Sequence, residues 1–176
     1  MNMKLKTMAA IAAVFSLFMV GCDKLPTVEK ISSVSTVIGR TAGYVCNLPT
    51  VKPKVKDVVV SVIDVVSTAV PTNGQTFTEA WTPVIDAELK KFVDAGKINN
   101  TEAKIAKVAL SAATEGIDYV FVKYPKAKDV KELVSAAVTG FTTGYKSVVK
   151  LAADVKPEID EEAYTYLKEK LEASGK

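Results

Sequence analysis

"VKDVVVSVIDVVSTAV", residues 55 to 70, decides the fold class of this chain. A run this rich in valine has the propensity of a buried strand, because β-branched side chains pack well on a pleated surface. The polar residues arbitrate. Asp57, Ser61, Asp64 and Thr68 follow one another at spacings of four, three and four, which places them on one stripe of a helix, whereas a two-sided strand alternates polar and apolar. We read the segment as a helix, with Pro49 and Pro53 forming a stiff connector ahead of it.

Outward from this segment the same period recurs. Before it, Val28, Ile31, Val34, Ile38, Ala42 and Val45 repeat at three and four, the pattern of an amphipathic helix. After it, "PTNG" at 71 to 74 breaks the chain. Thr82 and Pro83 read as an N-cap followed by proline at the first helical position, Gly96 as the residue past the end, and Trp81 as lying just outside. Val84, Ile85, Leu89, Phe92 and Val93 give that helix its inward face. The next opens at Asn100-Thr101-Glu102, carries the stripe Ile105, Val108, Ala109, Ala112, Gly116 and Tyr119, and stops at Pro125. A fifth is expected over Val130, Val134, Ala137, Phe141, Val148 and Ala152. A last one begins near Pro157, with Glu158, Asp160, Glu161 and Glu162 in its first turn and Lys168 and Lys170 late, the order that the helix dipole favours. Short connections favour antiparallel neighbours. The expected fold is all-α: a compact bundle of five or six helices over residues 28–176, in one domain.

One internal echo stands out. "GRTAGY" at 39 to 44 and "GFTTGY" at 140 to 145 share the pattern GxTxGY. Glycine inside a helix costs about 1 kcal/mol relative to alanine, so two pairs of them need a reason. Gly39 with Gly43, and Gly140 with Gly144, each bare one helix face. That face serves packing if it lets another backbone approach closely. It serves binding if, with Tyr44 and Tyr145 beside it, it admits an apolar ligand or a partner's helix.

Composition removes several chemistries. Histidine is absent from all 176 residues, and with it go the usual base near neutral pH, the usual zinc ligand and every Ser/His or Cys/His nucleophile pair. Two cysteines, Cys22 and Cys46, can form one pair at most and make no metal knuckle; if Cys22 is modified or lost, Cys46, among Tyr44, Val45 and Leu48, is expected to pack as a small hydrophobe. The acidic cluster from Glu158 to Glu162 lacks the spaced oxygens and central glycine of a calcium loop. No catalytic residue and no metal ligand is assigned. A formal charge of +3 implies no nucleic-acid partner.

The N-terminus carries the clearest message. Lys4 and Lys6 precede an apolar run from Met8 to Val20, and small Gly21 precedes Cys22. That order is a charged region, a short apolar region and a small-residue cleavage site. A membrane span needs roughly 20 apolar residues, and this run is shorter. Met19-Val20-Gly21-Cys22 resembles the lipobox of bacterial lipoproteins, with Met19 where leucine is usual. The resemblance implies cleavage after residue 21, a covalent lipid on Cys22 as the sole attached group, and a tether over residues 22–27 leading into the bundle. Without residues 1–21 the chain is 155 residues long with a formal charge of +1, enough for a real core.

Lipid attachment implies an envelope protein held at a membrane. Asp23 directly after the cysteine resembles the signal that keeps enteric lipoproteins on the periplasmic face of the inner membrane; in other hosts the address is the outer membrane or cell surface. The functional expectation is a tethered, non-catalytic module that binds a protein partner. Other readings are a phage- or plasmid-encoded exclusion lipoprotein, an apolar-ligand carrier, and, with least support, an envelope hydrolase using a carboxylate pair.

Overall fold

The computed structural model describes residues 25–46, 52–72, 74–149 and 157–174, the last five of these and Val45 and Cys46 by backbone only. Among them are six α-helices: α1 Val28–Cys46, α2 Pro53–Val66, α3 Phe77–Asp94, α4 Asn100–Lys123, α5 Lys131–Val149 and α6 Glu161–Ser174. A 3-10 turn, Pro125–Asp129, joins α4 to α5. No strand occurs among the described residues, and the chain is an all-α bundle. No helix among them is long and apolar enough to cross a membrane.

The valine-rich segment is helical, and its polar stripe faces out. Asp57, Ser61, Asp64 and Thr68 are all exposed, while Val55, Val58, Val59, Val62, Ile63 and Val66 are buried. Burial of the apolar face, rather than intrinsic propensity, makes this valine run a helix.

At the centre lies α4, which touches every other element. Its side chains are small where neighbours crowd it: Ala106, Ala109, Ala112, Ala113 and Gly116 are buried, with Leu110, Ile117, Val120 and Phe121 filling the remaining space. A helix packed on several sides cannot be read from a single stripe. The expected stripe is corrected accordingly, since Ile105 and Val108 are 38% and 55% exposed.

Two starting points also move. The third helix does not begin at Thr82 and Pro83. It begins six residues earlier at Phe77, and Pro83 is an exposed residue within it. Thr76 is the true N-cap, accepting from the Glu79 N–H at 3.1 Å while the Glu79 carboxylate accepts from the Thr76 N–H at 2.8 Å. This reciprocal pair is a capping box. Trp81 therefore lies inside the helix, fully buried, with its indole N–H donating to the Ala69 carbonyl at 2.8 Å. The last helix begins at Glu161, so Glu158 and Asp160 precede it; the Asp160 carboxylate caps it by accepting from the Ala163 N–H at 2.9 Å.

Contacts set the directions. Lys30 lies over the Tyr124 ring, and Gly116 lies against Ala42 and Phe141, so α1 and α5 both run antiparallel to α4 and parallel to each other. Phe77 stacks on Phe121, and Lys107 pairs with Asp86, which makes α3 antiparallel to α4. Consecutive helices from α1 to α5 are antiparallel, as short connections favour.

Candidate functional site

The four glycines of the echo lie in one seam, each against the backbone of the facing helix. A Cβ added at Gly43 would lie 2.8 Å from the Tyr145 carbonyl oxygen, and at Gly39, Gly140 and Gly144 it would come closer still to the carbonyl oxygens of Phe141, Ser32 and Thr36. The bare faces of α1 and α5 are thus in backbone contact along a parallel pair, close enough for Cα–H groups to face carbonyls. The space that an outside ligand or helix would use is filled from within the chain. The two copies are also staggered, for Gly144 sits against Thr36 and Arg40 while Gly39 sits against Phe141.

The tyrosines that follow the glycines part company. Tyr145 is fully buried, and its hydroxyl donates to the Ala109 carbonyl of α4 at 2.7 Å. Tyr44 is half-buried, 6.3 Å from the Tyr164 ring on α6. Residues 1–24, Cys22 and Asp23 among them, lie outside the described residues, as do the side chain of Cys46 and Ala152.

Three polar centres depend on contacts between elements. Asp118 on α4 accepts from the Phe77 N–H at 2.7 Å and the Thr78 N–H at 3.0 Å, so it closes the start of α3 from about 40 residues away in sequence. Glu102 is buried at the start of α4, where it caps Asn99 and holds Lys54 at 2.8 Å and Lys52 at 3.2 Å. The Lys54 ammonium first, then the Asn99 N–H, draw its carboxyl down from 4.5 to about 2, against the opposing effect of burial. The side-chain oxygen of Asn99 in turn accepts from the Glu102 N–H at 2.9 Å. Between α4 and α6, Tyr119 and Tyr166 pack at 4.9 Å. Burial first, and then the carboxylates Glu162 and Asp160, raise the Tyr119 phenol; burial and then Glu115 raise that of Tyr166. Both phenols stay neutral and act as hydrogen-bond donors.

A cleft of about 290 Å³ lies where α2 ends, α3 begins and the 3-10 turn passes, with Val70, Phe77, Phe121 and Val134 as apolar walls and Asp118 and Lys128 at its polar margin. Both Asp118 oxygens already accept backbone N–H groups there. Among the described residues no group of three histidine, cysteine or acidic side chains is placed to hold a metal ion.

No family model matches the chain, and neither a curated protein nor a solved structure matches it.

Proposed function

We propose that the chain is a lipoprotein of the bacterial cell envelope, acylated on Cys22, whose helical body binds another protein and performs no catalysis. The observation that carries this reading is the order of residues 4 to 23: two lysines, an apolar run too short to span, Gly21, Cys22 and Asp23. A thiol beside the membrane alkylates to a stable thioether, and two or more acyl chains anchor a protein securely where one is marginal. The address that follows from Asp23 is the periplasmic face of the inner membrane in an enteric host, and the outer membrane or cell surface elsewhere.

The glycine faces are spent on the α1 and α5 contact, so a partner is expected on outer helix surfaces, with half-buried Tyr44 and Tyr164 one candidate contact. The test of the anchor is an intact mass of protein purified from its native membrane, beside a Cys22→Ser variant. Cleavage before Cys22 with a mass increase matching glycerol and two or more acyl chains, lost in the variant, is expected. An unmodified mass, or one that still includes residues 1–21, overturns the reading. Crosslinking in the same membrane then identifies the partner.

A further inference from the structure

One end of the bundle gathers exposed aliphatic side chains. Leu25 (53% exposed) and Val28 (43%) lie where α1 begins, Val70 (55%) lies just past α2 and Val122 (68%) in the last turn of α4; Val65, in the last turn of α2, is 41% exposed. These places are neighbours. The Lys30 ammonium sits 5.9 Å from the centre of the Tyr124 ring, which joins the start of α1 to the end of α4. The cleft joins Val70 to Phe77, Phe121, Lys128 and Val134, and so brings in the start of α3 and of α5. The other exposed aliphatics, Ile105 and Val108, belong to the opposite half of α4; Val108 lies about 21 Å along the helix from Val122 at 1.5 Å per residue.

Chain length says what covers the first group. Leu25 is three residues after Cys22, and three residues span at most about 10 Å. If Cys22 carries the lipid, the end of the bundle that holds Leu25 stays close to the bilayer surface, whereas no such tether holds the opposite end. We propose that this end lies against the headgroup region of the bilayer that holds the lipid, with Leu25, Val28, Val70 and Val122 at the acyl boundary. The proposal rests on the Cys22 anchor. Charge is nearly balanced there, with Lys30, Lys126, Lys128 and Lys131 set among Glu29, Asp129 and Glu132, and Lys123 beside Val122 paired with Asp160 and Glu162, so the contact is apolar, and long lysine side chains reach past it to the headgroups.

The test uses full-length lipidated protein in a Cys46→Ser background, with a nitroxide label at Val122→Cys, Val70→Cys or, as reference, Val108→Cys. All three positions are exposed, and circular dichroism checks that each variant is folded. The protein is placed in phosphatidylcholine vesicles, with and without phosphatidylglycerol, and collisions with oxygen and with a water-soluble nickel chelate are compared. Labels at 122 and 70 are expected to favour oxygen several-fold more than the label at 108, in both vesicle types. An equal ratio at all three sites, in protein whose mass confirms the lipid, overturns the orientation and leaves the anchor standing. A contrast that appears only with phosphatidylglycerol overturns the apolar contact in favour of charge. Unlipidated protein in the mass spectrum overturns the anchor and the orientation with it.

Discussion

Gly144 of α5 rests directly against the backbone carbonyl of Thr36 in α1, with no room between them for a methyl group. The carbonyl belongs to a helix and cannot swing aside as a side-chain end would. Gly144→Ala gains about 1 kcal/mol of helix propensity but overpacks the contact, which costs about 1 to 3 kcal/mol and more where backbone must move. Net destabilisation of about 2 kcal/mol is expected from urea unfolding. Gly116→Ala provides the contrast: its added methyl would meet the ring edge of Phe141 at 2.8 Å and the Ala42 methyl at 3.1 Å, side-chain atoms that can shift, and a smaller loss is expected.

Glu102 sets an acid limb. Its folded pKa of about 2 lies below the ordinary 4.5, so the ionised form favours the folded state. That contribution is complete above about pH 4.5 and is lost as pH falls towards 2. A Glu102→Gln variant is expected to show a flatter fall in stability across that window, measured by denaturant midpoints at stepped pH. An acid limb identical to that of the parent would show that the lysine contacts do not hold in solution.

Asp118 carries the start of α3 from another helix. Asp118→Ala leaves the Phe77 and Thr78 N–H groups without their acceptor, and a loss of about 1 to 2 kcal/mol is expected, as for a helix cap. Amide exchange locates the effect: protection should drop first at residues 77 and 78. Uniform loss across all helices would assign Asp118 a different role.

Ser35 is fully buried on α1, and its hydroxyl has no hydrogen-bond partner among the described residues. An unpaired buried hydroxyl costs free energy, and alanine is nearly the same size and a better helix former. Ser35→Ala is expected to raise stability by about 1 kcal/mol, read as an upward shift in thermal midpoint. A lowered midpoint would mean that the hydroxyl is paired in solution.

Tyr145→Phe removes the hydroxyl that donates to the Ala109 carbonyl and keeps the buried ring. A loss of about 1 kcal/mol is expected by thermal unfolding, the usual net contribution of one hydrogen bond. A loss as large as that of Gly144→Ala would show that the hydroxyl fixes the placement of α5.

Periodicity alone settled the valine-rich segment. The stripe from Asp57 to Thr68 marks a helix because side chains four and three apart share one face whatever the rest of the chain does, and the paired glycines announce a close approach because nothing local favours glycine there. The leader we propose rests on linear order too: charge, apolar length and a small residue before cysteine. Only the tertiary structure decided what each face meets. Gly39 and Gly43 find α5, Trp81 is drawn inside a helix capped at Thr76, and Ile105 and Val108 stay exposed while small residues of α4 are buried. Linear spacing describes one helix at a time; which backbone approaches which depends on contacts made roughly a hundred residues away, and those are written in shape rather than period.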